Sequence, residues 1–262
     1  MKCHEKICLI DGDIILYNVA WGSEKETFEW NVKYNIYYTL LSILTKNNTT
    51  DYIGFITGLN NFRKQIELPR KYKANRKKEK PKWFNFVKKI MIEELKFIET
   101  NTIETDDALA ICSNNLKNTI ICTTDKDLFQ IPGEHYNFIT DKTIIISKEE
   151  AEKFFWMQML TGDFTDNIEG IKGLGPVKAK KILNDVTDYK SKVLNVYIDN
   201  YGEYKGIEYF YKNYVLLKLL VEYENFTIPD VNKIDIKKPI EYYIGVPKLK
   251  MFKSNELYAN EN

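Results

Sequence analysis

Thr119-Ile-Ile-Cys-Thr-Thr-Asp-Lys-Asp127 carries an apolar, β-branched run straight into a pair of acids. Lys6-Ile-Cys-Leu-Ile-Asp11 repeats that form near the start of the chain, and Asp51-Tyr-Ile-Gly-Phe-Ile-Thr57 is a third run of strand length. Short stretches of this composition read as strands buried in a sheet. Helical spacing lies between and after them. Tyr37, Leu40, Leu41 and Leu44 mark one face within Val32 to Leu44, and Phe86, Val87, Ile90 and Leu95 mark another within Trp83 to Phe97. A further helix is expected from Asp106 to Leu116, and short strands from Tyr136 to Thr140 and Thr143 to Ser147. Ser147-Lys-Glu-Glu150 is a capping box that opens a helix through Leu160. Strands alternating with helices predict an α/β fold with a mostly parallel central sheet flanked by helices.

Ligands of such sheets sit at the carboxyl ends of the strands, which is where Asp11 and Asp125 fall. Three acidic groups punctuate the middle of the chain: Glu104, Asp106 and Asp107; Asp125 and Asp127; Asp163 and Asp166. Converging carboxylates bind hard divalent cations, and hydrolysis of a phosphodiester by two metals needs several of them around ions roughly 4 Å apart. Each group alone also has an ordinary explanation. Acids at a helix start offset its dipole, and Asp163 and Asp166 suit a turn. Directly behind them comes Gly170-Ile-Lys-Gly-Leu-Gly-Pro-Val-Lys-Ala-Lys180. Gly173 and Gly175 allow backbone to approach phosphate, and Lys172, Lys178, Lys180 and Lys181 supply charge. The bland alternative is a glycine turn joining two core helices. Together, acids and turn read as a metal-dependent enzyme acting on nucleic acid.

The chain of 262 residues is 44% hydrophobic and 14% aromatic, enough for a packed core. Its net charge of +1 does not by itself predict a nucleic-acid partner. The distribution is more telling: Pro69 to Lys82 holds eight basic residues against the single acid Glu79. All three arginines, Arg63, Arg70 and Arg76, lie in that neighbourhood, where a guanidinium fork can grip phosphate. Tyr72, Lys73 and Arg76 are spaced to project from one helical turn. Cys3, Cys8, Cys112 and Cys122 lack C-x-x-C spacing, and no secretory signal or membrane-length apolar run is present, so buried thiols in a reducing cytoplasm are expected. His4 and His135 are isolated and read as structural.

Four motifs resemble those of the 5′-nucleases: flap endonucleases, phage 5′-exonucleases and the N-terminal nuclease domain of bacterial DNA polymerase I. They are Ile10-Asp11-Gly12, Tyr72-Lys-Ala-Asn-Arg76, Glu104-Thr-Asp-Asp-Ala108 with Thr124-Asp-Lys-Asp127, and Gly162-Asp-Phe-Thr-Asp-Asn167 leading into Gly170 to Pro176. The resemblance implies a PIN-like 5′-nuclease fold. Its α/β core would span 1–160 with a basic helical arch at about 69–100. A helix–turn–helix subdomain with C-terminal helices, one near Ile207 to Tyr223, would occupy 161–262. It implies two Mg2+ or Mn2+ ions, the first on Asp11, Glu104 and Asp106 with Asp125 close by, the second on Asp127, Asp163 and Asp166, and Asp107 assisting. Lys73 would neutralise charge at the scissile phosphate, Arg76 would clamp a neighbouring oxygen, and Tyr72 would stack on an unpaired base. Arg63, Arg70, Lys71, Lys172, Gly173, Gly175, Lys178 and Lys180 would contact DNA, with K+ at the glycine turn. The implied partners are DNA 5′ ends, flaps or RNA primers, together with replication proteins, for a monomer in the cytoplasm, that of the host if phage-encoded.

One departure stands out. The family usually carries another metal-directed acid shortly after the second strand, but here Ile56-Thr-Gly-Leu59 follows, with no acid between Ile53 and Glu67. Asp13, two residues past Asp11, is the candidate to compensate. Three other readings compete. A PIN-type ribonuclease shares the acidic sheet, and an accessory protein with a weakened metal site would bind flaps without cutting them. A haloacid-dehalogenase-like phosphatase would use Asp11-Gly-Asp13 but leaves the basic segment unexplained.

Overall fold

Leu9 and Ile10 are fully buried because β1 (Ile7–Asp11) runs through the interior of a seven-stranded sheet. The computed structural model describes residues 6–66, 71–75 and 79–245. From β1 the chain passes through α1 (Gly12–Gly22) and α2 (Glu29–Lys46) to β2 (Asp51–Thr57), which lies parallel to β1. Next come α3 (Phe84–Glu93), β3 (Ile98–Thr100), α4 (Thr105–Asn115) and β4 (Thr119–Cys122), then β5 (Gly133–Asn137) and β6 (Lys142–Ile146). The strand order is β3-β2-β1-β4-β5-β6, parallel from β3 to β5 and antiparallel at β6. This is the mostly parallel sheet expected from the alternating pattern.

Successive side chains of the inner strands point to opposite faces and fill two cores. Cys8, Ile10, Tyr52 and Ile56 pack with α1, α2 and α3, whereas Leu9, Ile53 and Phe55 pack with α4. A third core forms around α5 (Lys148–Thr161), opened by the Ser147/Glu150 capping box. It gathers α6 (Pro176–Ile182), α7 (Tyr189–Tyr201) and α8 (Glu203–Leu217) around Phe155, Trp156, Tyr197 and Phe210. Between α5 and α6 stands a two-stranded hairpin, β7 (Gly162–Asp163) and β8 (Ile168–Glu169), followed by the glycine turn. That hairpin and turn join α5 to α6 in the region where a helix–turn–helix was expected.

Other expectations change too. α1 was not foreseen, although Asp11 caps it and Ile15, Leu16, Val19 and Ala20 are buried. The expected arch of 69–100 includes α3, whose Val87 and Met91 are fully buried in the first core, and β3, a strand of the sheet. Residues 84–100 are therefore scaffold. Tyr72–Asn75 form a turn in which Lys73 takes φ +55°, so Tyr72 and Lys73 do not project from one helical turn. The chain beyond α8 does not stay with the helical core. Leu219 packs under the sheet, β9 (Asn232–Lys233) pairs with Asp51 and Tyr52 at the start of β2, and α9 (Ile240–Ile244) packs on α2. Cys8, Cys112 and Cys122 are buried free thiols, and burial pushes Cys112 up to about 12. Among the described residues no helix is long and apolar enough to cross a membrane.

Candidate metal centre

The parallel strands β1 and β4 end side by side, and each hands its last residues to an acid. Asp11 caps α1 by accepting from the Ile14 N–H (3.3 Å), and its other oxygen takes the Thr123 hydroxyl (2.7 Å). Asp125 caps the short 3-10 turn Lys126–Gln130 by accepting from the Asp127 N–H (2.9 Å). Glu104 and Asp107 form the capping box of α4, with Asp106 in its first turn. The Asp163 Oδ1 accepts from the N–H groups of Thr165 (2.7 Å) and Asp166 (3.3 Å), which closes the β7–β8 loop and leaves both acids buried. Strand ends and helix caps thus do the positioning.

Their charges act on one another in two overlapping sets. Burial raises the Asp106 carboxyl well above its usual range, helped by Asp11, Asp125 and Glu104. Burial also pushes Asp127 up to about 7, helped by Asp125, Asp163 and Asp166. Asp125 belongs to both. Asp11 rises to about 7 through burial and then the charge of Asp13. Acids in this state need a proton or a cation, because buried negative charges left unpaired are costly. The Asp163 Oδ2 is buried with no hydrogen-bond partner, so it holds a lone pair open toward such a cation. These hard oxygen donors fit a divalent ion. No trio of His, Cys, Asp or Glu among the described residues is already drawn up as a ligand set. Lys73 meets the acids instead: its ammonium bonds Glu104 Oε1 and lies 3.4 Å from Asp166, while the Arg63 guanidinium lies 3.5 Å from the other oxygen of Glu104.

Three assignments made from the sequence shift here. Arg63 is only 1% exposed, so it does not face DNA. Its fork closes on Asp107 (2.5 and 2.8 Å) and donates to the Leu216 and Lys218 carbonyls (3.0 and 2.9 Å). Asp107 is fully buried in that pair and also takes the Leu220 N–H, which removes it from the metal ligands. Tyr72 is buried, with its hydroxyl donating to Glu104 (2.8 Å) and Asp166 (3.1 Å), so its ring is not presented to a base. Lys71, Lys172, Gly173, Gly175, Lys178 and Lys180 are exposed. Arg70 and Arg76 lie outside the described residues.

Asp13 reaches the site of the missing acid. Its Oδ1 accepts the Thr57 N–H (3.0 Å) at the end of β2. Two supporting residues escaped the sequence reading. Thr123 orients Asp11, and Gln158 on α5 donates to Asp127 (2.7 Å). The Thr-Thr before Asp125 was a usable signal for the first; Gln158 had none.

An acidic centre at the carboxyl end of a mostly parallel sheet lies where open α/β folds place their ligands. A family model described as the 5′-3′ exonuclease N-terminal resolvase-like domain matches residues 6–155, and the chain belongs to that family. Among relatives, a 5′-3′ exonuclease of Mycoplasmopsis pulmonis is 29% identical over 203 residues, covering 69% of this chain and 67% of that one. The exonuclease of Escherichia phage T7 is 32% identical over 159 residues, covering 56% and 51%. DNA polymerase I of Caldicellulosiruptor bescii is 26% identical over 220 residues, 73% of this chain but 26% of the polymerase. The chain thus spans a quarter to two thirds of these relatives. Its fold is similar to that of the bacteriophage T5 flap endonuclease, solved with DNA and metal ions (TM-score 0.61, 17% identity, 82% of this chain and 89% of that one).

Proposed function

We propose that this chain is a structure-specific 5′-nuclease that hydrolyses phosphodiesters at DNA 5′ ends and flaps with two Mg2+ or Mn2+ ions. The observation that carries the reading is the pair of overlapping carboxylate sets sharing Asp125 at the strand ends. Asp11, Glu104, Asp106 and Asp125 would hold one ion, and Asp127, Asp163 and Asp166 the other. Bound ions supply an activated water and neutralise charge on the entering and leaving oxygens. Asp13, beside Asp11 and anchored to the end of β2, contributes charge where the family's usual acid is absent. Lys73 reaches phosphate once its carboxylate partners are neutralised, and there offsets developing negative charge. Lys172 on the exposed glycine turn and Lys178 and Lys180 on α6 directly behind it grip duplex backbone without reading sequence, with K+ at the turn. Primer or flap removal in replication, by a monomer, is the corresponding biological role. The names of the relatives, which are exonucleases and polymerases I, support this reading.

A 5′-labelled panel of flap, nicked, RNA-primed and single-stranded substrates tests it, each with Mg2+, Mn2+ or chelator. Cleavage that needs the divalent ion and favours 5′ flaps is expected. Cleavage that survives the chelator would overturn the mechanism, and tight flap binding with no cleavage would leave only an accessory role.

A further inference from the structure

The chain leaves α8 at Lys218 in extended backbone (φ −71°, ψ 122°) and crosses from the helical core to the sheet. Leu216 and Leu217 pack in the helical core, and Leu219 packs with α4 under the sheet. Side chains bond this crossing on both edges. On one edge Arg63 donates to the Leu216 and Lys218 carbonyls, and Asp107 accepts the Leu220 N–H (3.0 Å). On the other, Gln130 donates to the Leu217 carbonyl (2.7 Å) and accepts the Leu219 N–H (3.3 Å). A carbonyl can only accept and an N–H can only donate, so the Gln130 amide has one possible sense. It also donates to Gln158 Oε1 (2.9 Å), which leaves Gln158 Nε2 to donate to Asp127 Oδ1 (2.7 Å). Both glutamines are buried, so little water competes for these bonds. Leu217 and Leu219 share with Asp106 and Asp127 the lining of a cavity of about 20 Å3, room for one water.

We infer that Gln130 and Gln158 are positioning residues for the second ion, forming a relay that fixes Asp127 against the Leu216–Leu220 crossing. The inference rests on the reading of Asp127 as a ligand of that ion. Gln158 alone would be a long side chain with rotamers to spare. Gln130 removes that freedom, because it is itself anchored to backbone at two points, Leu217 and Leu219. Held by Oδ1, the Asp127 carboxylate keeps its orientation, and its other oxygen is the one left for an ion. The opposite edge of the same crossing steadies the other set. Asp107, bonded there to Arg63 and Leu220, accepts the Glu104 N–H (3.2 Å) in the capping box of α4. One short segment at the end of α8 is thus tied to both carboxylate sets.

Titration calorimetry with Mn2+ on the protein alone tests this, with no substrate present. The wild type is expected to show two binding events. Gln130→Met and Gln158→Met keep the length of the side chain and lose its amide. Each weakens one event by roughly 10- to 100-fold and spares the other. The double variant is no weaker than either single one, since both cut the same relay, whereas separate packing defects would add. Side-chain amide NMR spectra give a second readout: Mg2+ shifts the signal of Gln130 as well as that of Gln158, and Gln158→Met abolishes the shift at Gln130. On a 5′-flap substrate kcat falls in each variant while KM stays the same. Unaltered Mn2+ affinity in Gln130→Met, additive losses, or a Gln130 signal indifferent to the ion would overturn the relay alone. Fewer than two Mn2+ events in the wild type would overturn the two-ion reading and the relay with it. Thermal unfolding shows whether each variant folds; should Gln130→Met fail to, Gln158→Met and the amide spectra decide.

Discussion

Arg63 and Asp107 are both shut away from water, and each neutralises the other. Removing one partner strands the other's charge, so Arg63→Ala is expected to cost about 3–5 kcal/mol in urea unfolding. Arg63→Lys recovers only part of this, because an ammonium cannot make the forked contact to Asp107. Lys73 behaves differently, since it is held by acids that a cation can claim. Lys73→Ala is expected to bind divalent ions severalfold more tightly by calorimetry, since a competing charge is gone, yet to lose turnover far more than DNA affinity. Parallel losses in turnover and DNA affinity would show that Lys73 only attracts the substrate. Both residues were picked from the sequence as basic groups near phosphate. What could not be read there is burial. The three arginines stand within fourteen positions, and nothing in their spacing distinguishes Arg63, which faces inward to Asp107 forty-four positions away.

Elements announced by their own neighbours were the readable ones. Ser147 and Glu150 complete a capping box within four residues, and the helix they open is there. Ser147→Ala should lower stability by about 1 kcal/mol while leaving the fold intact, as thermal unfolding would report. α1 was hard to read because Ile14, Ile15 and Val19 are β-branched and the helix begins directly at the end of β1, its one local start signal being the N-cap Asp11 that also belongs to the acidic set. The β7–β8 hairpin was hidden for another reason: each strand has two residues, too few for any period. Its sign is a glycine. Gly162 takes φ +72°, and a side chain there would meet the Gly170 backbone nitrogen at 2.2 Å. Gly162→Ala should therefore cost about 1–3 kcal/mol for the conformation, with the clash in addition, and displace Asp163. A melting temperature unchanged by Gly162→Ala would contradict that account.

The whole molecule carries its acids in a state that depends on pH. Asp11 and Asp127 titrate at about 7 in the folded chain against an ordinary 3.8, and Asp106 is raised as well. Between those values the folded chain holds more protons than the unfolded one, so the metal-free protein loses stability as pH rises through this window. A divalent ion must displace the same protons, so it stabilises more at pH 8 than at pH 5. Unfolding midpoints with Mg2+ and with chelator at both pH values check this; an equal gain at the two would place the ion elsewhere. At this scale, the sequence showed that acids cluster at strand ends, because an apolar run that stops at an acid is a local pattern. It did not show that Asp13 turns to Thr57, or that Tyr72 and Lys73 lie across Glu104 and Asp166. Those contacts join segments that only the closed fold brings together.

The return of β9 to the first residues of β2, with α9 laid on α2 and Tyr243 stacked on Tyr37 at 5.5 Å, has a practical corollary. The stretch that matches the family, 6–155, is not a transplantable module. Cut out alone, it would leave bare the flank of β2 that residues 232 and 233 cover, and would lack the half of the acidic centre that Asp163 and Asp166 provide. Swaps with relatives will succeed at surface loops sooner than at the boundary of the shared region. The matched stretch is continuous in sequence, but its mechanical support is distributed to the far end of the described chain.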